Sequence, residues 1–181
     1  SETGLNNTEA ALLAAAALRV KAGTDIGCCH PGAVIRSGLP KGDLDVNALF
    51  LTGGQRGRSV VRVTLTGAQI KAYFEDLVRE GWGRNLWDGF KAAYRVSPPG
   101  TVRLEMNLDP TKSYAVVMPE LEWKARFLKA VQKRRLENTA PASQLCDFTF
   151  IDALMAYMED LAARGILPET QVSLLRQENA L

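Results

Sequence analysis

The chain carries 181 residues, 46% of them apolar, with a formal net charge of +2. That length suits one domain able to remove roughly 70% of its unfolded surface from water. No apolar run approaches the roughly 20 residues a bilayer span needs, and near-balanced charge offers no footing for a polyanion. A membrane span and a nucleic-acid partner are therefore excluded. From the N-terminus, Asn7 or Thr8 suits a helix N-cap, Glu9 complements the positive helix end, and the alanine/leucine run continues to Lys21, with Gly23 as the stop. Asp25 to Cys29 reads as a short buried strand that feeds a Gly/Pro loop bearing Arg36. The segment Asp43 to Phe50, DLDVNALF, predicts a short helix, and Ser59 to Leu65, rich in β-branched residues, a strand.

Thr66 predicts the cap of the next helix, where Ile70, Tyr73, Phe74, Leu77 and Val78 share one face. It ends at Gly81-Trp82-Gly83, and Trp82 and Trp87 fall in an irregular link. Phe90 to Val96 and Val102 to Asn107 predict a hairpin around Pro98-Pro99-Gly100, and Tyr114 to Met118 a further strand. Pro119 opens a helix to about Arg134, with Leu121, Phe127, Leu128 and Val131 for packing. Glu137 to Gln144 reads as loop, and Phe150 to Ala163 as a strong helix stopped by Gly165. The tail beyond it, residues 166–181, reads as peripheral, either a short helix after Pro168 or a trailing end. Helices mixed with mainly hairpin-type strands make the expected class α+β, a single domain over residues 1–181.

Two glycine-rich loops carry guanidinium groups. The first spans His30 to Arg36 and contains Gly32; the second holds Gly53, Gly54 and Gly57, interleaved with Arg56 and Arg58. Glycine lets backbone N–H groups approach an anion, and arginine offers a planar fork matched to carboxylate or phosphate, so the pair forms a candidate anion site. The alternative is a pair of ordinary surface turns. The basic cluster Lys124, Arg126, Lys129, Lys133, Arg134 and Arg135 has no interleaved aromatics and reads as a solvated helix face.

Other chemistry finds little support. With one histidine in the chain, neither a metal centre nor a serine triad can be assembled from ordinary ligand sets. Three cysteines, two of them adjacent, give no disulfide framework and sit most easily in a reducing compartment. Cys29 beside His30 leaves open a cysteine nucleophile, although neighbours in sequence rarely face each other as such a pair must. No signal peptide or phosphate-loop fingerprint is visible.

The order of features resembles the C-terminal domain of 5'-nucleotidases. The resemblance rests on Ile35-Arg36 closing a Gly-rich loop, Leu39-Pro40, Gly42-Asp43-Leu44, the join Leu65-Thr66-Gly67-Ala68-Gln69-Ile70 and the strand lead-in Leu108-Asp109-Pro110-Thr111-Lys112-Ser113-Tyr114. It implies a substrate-gripping domain, its partner an N-terminal metallophosphoesterase domain absent from this sequence, where two divalent metal ions cleave the phosphate. No cofactor is expected in this chain itself. Glu2 and Leu5-Asn6-Asn7 look like the tail of the family's R-x-x-E-x-x-LGN motif, which implies an excised piece of a longer enzyme.

Departures from the family pattern are specific. Where the family reads N-G-G-G-I-R, this chain has Pro31 to Arg36, keeping the arginine and losing the asparagine and two glycines. The F-G-N step falls on Arg56-Gly57-Arg58 without its ring, and the G-G-D-G-aromatic segment is replaced by Glu120 to Lys124. Trp123 stands either in place of a stacking ring or on the core. The expectation is a nucleotide or related phosphorylated molecule held by Arg36, Gly32, Arg56, Gly57, Arg58 and Trp123. Its rivals are a decayed domain acting as a scaffold and the cysteine enzyme. By resemblance the location is periplasmic or extracellular, whereas the cysteine content also fits the cytoplasm.

Overall fold

Nine consecutive residues from Ala10 to Leu18 are each no more than 2% exposed, so the alanine-rich helix is apolar around its whole circumference. Such a helix belongs inside a domain. In the computed structural model, which describes residues 1–32, 34–54, 59–80, 86–97, 101–129 and 141–181, it is α1, Asn7–Ala22. Asn6 caps it, accepting from the Thr8 and Glu9 N–H groups while Glu9 reaches back to the Asn6 N–H. Gly23, at φ 60°, ends it in the left-handed conformation that glycine adopts without a Cβ penalty.

One face of α1 lies against a five-stranded mixed sheet. Its strands are β1 (Ile26–Cys28), β2 (Ser59–Thr66), β3 (Trp87–Asp88), β6 (Ser113–Pro119) and β7 (Ser143–Thr149), in the order β3-β1-β6-β2-β7. β1 runs parallel to β6, with Ile26 opposite Val116, and the other pairings are antiparallel. A Cβ at Gly27 would overlap the Ala15 carbonyl oxygen, so helix and strand meet this closely only because that residue is glycine. Between β3 and β6, β4 (Ala92–Ser97) and β5 (Thr101–Met106) form a separate hairpin in continuous register from Ala92–Met106 to Ser97–Thr101.

The helix α2 (Val46–Leu49), capped by Asp45, runs into a π-helical turn, Phe50–Gly54. α3 (Gly67–Arg79) starts from a Thr66–Gln69 capping box and buries the expected face, Ile70, Tyr73, Phe74, Leu77 and Val78. Phe74 then meets Trp87 edge-on at 4.4 Å, and Trp87 stacks on Phe90 at 5.2 Å. The irregular link of the sequence reading thus contains an edge strand, with Asp88 buried and paired to Arg19.

Three expectations need correction. The helix expected from Pro119 is present, as α4 (Glu120–Glu122) widening into a π-helical turn, Trp123–Phe127, and helical to residue 129, its expected end lying outside the described residues; what needs correction is its packing face. Leu121, expected to pack, is 40% exposed, and Glu122 is the residue turned inward. Second, no strand was expected over residues 143–149, yet β7 pairs with β2. Its residues are exposed or half-buried, so no apolar alternation announces it.

Third, the tail is not peripheral. After α5 (Phe150–Ala163), capped by Thr149 and Asp152, comes α6 (Pro168–Glu178). It buries Val172 and Leu175 at 2% exposure each. Its other ties run to the opposite end of the chain: Arg176 pairs with Glu9 at 3.0 Å, and Glu169 accepts from the Ser1 hydroxyl at 2.6 Å. The result is a mixed α+β domain with helices on a mixed sheet.

Candidate functional site

The loop that follows β1 is anchored by a buried carboxylate. Glu122 is fully buried and accepts three hydrogen bonds, from the Tyr73 hydroxyl to Oε1 at 2.5 Å, from the Cys28 thiol to Oε1 at 3.1 Å, and from the His30 N–H to Oε2 at 2.7 Å. Burial pushes its pKa up, against the pull of these donors and of the Arg126 charge. Each partner comes from a different element: Tyr73 from α3, Cys28 from β1 and Glu122 from the last residue of α4. The carboxylate therefore fixes where the chain leaves β1.

Above this anchor, the Gly32 N–H donates to Nδ1 of His30 at 2.9 Å, closing a tight turn over the ring. Nε2 of His30 lies 3.3 Å from Nη1 of Arg126, which also reaches the Glu80 carboxylate at 3.4 Å. Burial, and then the neighbouring guanidinium, lower the His30 pKa from 6.5 to about 4, so the ring is neutral at pH 7. A side chain at Gly32 would come within 3.0 Å of the His30 ring and 3.5 Å of Arg126 Nη2. A larger residue there would have to push the His30 ring aside by a few tenths of an ångström.

The first glycine-rich loop lies against the Thr52–Gly53 segment that leads into the second. The Arg36 N–H donates to the Thr52 carbonyl at 2.7 Å, while the Thr52 hydroxyl donates to Ala48 O at 2.9 Å and to Gly38 O at 3.3 Å. A Cβ at Gly53 would sit 2.9 Å from the Phe150 ring and 3.4 Å from the Val34 carbonyl oxygen, so glycine there admits the close seating of this segment on Phe150 at the start of the Phe150–Ala163 helix. Arg36 itself is exposed. Backbone pairing, rather than any contact of the guanidinium, brings the expected Arg36 and Gly32 loop against the start of the second one. Arg56, Gly57 and Arg58 lie outside the described residues.

Trp123 is the corrected member of the set. Its side chain is 2% exposed and packs on Phe127, ring centroids 5.3 Å apart, so its faces are taken up by the core and are not presented to a ligand. Arg126 is the residue that sequence reasoning missed, having been grouped with the solvated basic face. Lys124 does belong to such a face, 66% exposed and paired with Glu120 at 2.5 Å, whereas Arg126 turns toward His30 and Gly32. The signal available was Glu122, four residues earlier between Leu121 and Trp123: a carboxylate in an apolar setting implies polar neighbours.

Cysteine chemistry does not fit. Cys28 and Cys29 are buried, and burial followed by the Glu122 charge pushes both thiols well above their ordinary pKa. A nucleophile needs the thiolate, which this setting opposes. Among the described residues no three His, Cys, Asp or Glu side chains converge as a metal-ligand set. What the arrangement shows is a buried neutral imidazole held between the Gly32 N–H and Arg126, with Arg126 also paired to Glu80 and the Arg36 side chain exposed on the same loop. No helix among the described residues is long and apolar enough to cross a membrane.

Known proteins share this architecture. The 5'-nucleotidase precursor of Thermus thermophilus superposes with a TM-score of 0.70 at 24% identity, over 88% of this chain and 36% of that one. The NAD nucleotidase of Haemophilus influenzae gives 0.66 at 12% identity, over 88% and 34%. The sulfate thiohydrolase SoxB of Thermus thermophilus, solved with glycerol, gives 0.54 at 16%, over 83% and 29%. The chain thus spans about a third of the length of each. No curated protein sequence matches it. Residues 2–122 match the family described as 5'-nucleotidase, C-terminal domain, and the chain belongs to that family.

Proposed function

We propose that this chain is the substrate-recognition domain of a metal-dependent 5'-nucleotidase-like phosphoesterase, gripping a nucleotide or related phosphorylated small molecule while a separate N-terminal domain holding two divalent metal ions hydrolyses it. Arg36 contacts the anionic or ribose end, with Arg56, Arg58 and the Gly57 N–H assisting from the second loop and Arg126 joining them beside Gly32. The observation that supports this reading is the Arg36 N–H to Thr52 O bond of 2.7 Å, which sets the Arg36 loop against the segment leading into the second glycine cluster. A periplasmic or extracellular location goes with the proposal.

A thermal-shift panel of nucleotides, sugar phosphates and cyclic nucleotides tests it. A ligand at 100 times its Kd stabilises the fold by about 2.7 kcal/mol, and Arg36→Ala should abolish the shift. For the chain joined to its natural N-terminal region, phosphate release from the active nucleotide should fall in the same variant. Unchanged release would refute the assigned role.

A second reading, a decayed domain serving as a scaffold, draws on the burial of Trp123. With that ring in the core, no stacking platform for a base is identified among the described residues of the expected site. A panel without a single shift favours the scaffold. The sulfate thiohydrolase among the similar structures adds a reason to include anions other than nucleotides in the panel.

A further inference from the structure

A second concave region lies away from the loops. It is a cleft of about 570 Å³ between α2, the C-terminal half of α5 and the turn into α6. That volume is inside the range of about 300–1,000 Å³ typical of ligand-binding cavities. Its floor is apolar, with Leu49 from α2 and Met155 and Met158 from α5. The apolar lining is itself open to solvent, with Val46 54% and Leu167 39% exposed. An elongated apolar partner would cover surface that a small molecule inside the cleft would leave wet.

Acidic side chains outnumber cations at the rim, where the Ser1 amino group is the one cation among the described lining residues. Asp43, Asp45 and Glu159 line the cleft, whereas no Lys, Arg or His lines it among the described residues. The Ser1 amino group, also at the cleft, donates to the Gly42 carbonyl at 3.1 Å. This local acidity stands against a chain whose net charge is +2, so attraction of a cation here is a property of the site, not of the molecule as a whole. Methionine side chains are flexible and polarizable and repack around differing apolar shapes. From an apolar floor with two methionines and an acidic rim, we infer that the α2–α5 cleft docks a cationic amphipathic helix of a partner polypeptide, its apolar face on Met155 and Met158 and its Lys or Arg residues toward Asp43 and Glu159.

The chain contains four methionines, two in this cleft and two, Met106 and Met118, in strands β5 and β6. Methyl-labelled methionine NMR on the full chain therefore reports occupancy of the cleft with an internal control. The probe is a synthetic amphipathic helix of leucine and lysine. A peptide with glutamate replacing lysine, and one with serine replacing leucine, serve as comparisons. Saturable shifts of Met155 and Met158 alone, with affinity about tenfold or more above both comparison peptides and falling with added salt, are the expected result.

Asp43→Asn combined with Glu159→Gln changes two exposed side chains and should weaken binding about fivefold, with the unliganded spectrum retained. Equal binding of the lysine and glutamate peptides would overturn the inference. So would equal binding by the leucine-free peptide, shifts spread over all four methionines, or no shift at all. Peptide-independent shifts of Met155 and Met158 that grow with protein concentration would instead assign the cleft to a second copy of the chain, and would likewise overturn it.

Discussion

Removing the Glu122 side chain as Glu122→Ala leaves three buried donors, the Tyr73 hydroxyl, the Cys28 thiol and the His30 N–H, without their acceptor. Each orphaned buried donor costs about 1–3 kcal/mol, the thiol least. Because the three share one acceptor the losses do not simply add, and about 2–5 kcal/mol is the expected total. Glu122→Gln keeps the shape. Its oxygen can serve the His30 N–H while its NH2 donates to the Tyr73 hydroxyl oxygen, so about 1–2 kcal/mol is expected near neutral pH before the titration of the native carboxyl is considered.

That titration gives the decisive readout. Burial raises the folded pKa of Glu122 above its ordinary 4.5. Between the unfolded and folded values the native state holds a proton that the unfolded chain has released, so native stability falls as pH rises through that window. The glutamine variant lacks this proton. Urea unfolding of both proteins across a pH series should show the native advantage greatest below 4.5 and shrinking as pH climbs through the raised value. An advantage that grows with pH would mean that the three donors outweigh burial and depress the pKa, and would refute the reasoning.

Three further outcomes follow from the same region and its supports. His30, lowered from 6.5 to about 4, should titrate by NMR near pH 4. Here the unfolded chain binds the extra proton, so the His30 contribution to stability is lost as pH falls from 6.5 through 4, opposite in sign to that of Glu122. Gly27→Ala, which sets a methyl group against the Ala15 carbonyl and within 2.9 Å of Arg19 Cβ, should lower stability by about 1–3 kcal/mol in thermal unfolding. Cys28 and Cys29, buried with raised thiol pKa values, should resist alkylation near neutral pH until the chain unfolds; rapid labelling of the native protein would contradict their burial.

Local chemistry made most elements legible. The Thr66 cap, the face of α3, the glycine stop of α1 and the β-branched run of β2 each depend on residues a few positions apart, and each appears where its side chains require. What escaped depends on tertiary partners. β7 exists because β2 offers it an edge, not because SQLCDFT alternates. The tail is held by Glu9 and Ser1 at the far end of the chain, contacts that no local window contains. The same distinction separates the two halves of the candidate site.

Glycine and arginine in loops could be read as an anion site, and Arg36 and Gly32 do sit on a turn joined to the Thr52 segment. Glu122, Tyr73 and Cys28 could not be read as a unit, since they are 49 and 94 residues apart across the two hydrogen bonds at Oε1, and Arg126 could not be told from its exposed neighbours before a π-helical turn set its direction. A buried carboxylate under the first loop is costly unless its oxygens are satisfied, and here donors from three segments satisfy them. It fixes where the chain leaves β1 and enters the arginine-bearing turn. The pH series on Glu122 and the ligand panel on Arg36 address that link from opposite ends: one asks whether the carboxylate carries a titrating burden at all, the other whether the turn above it binds anything.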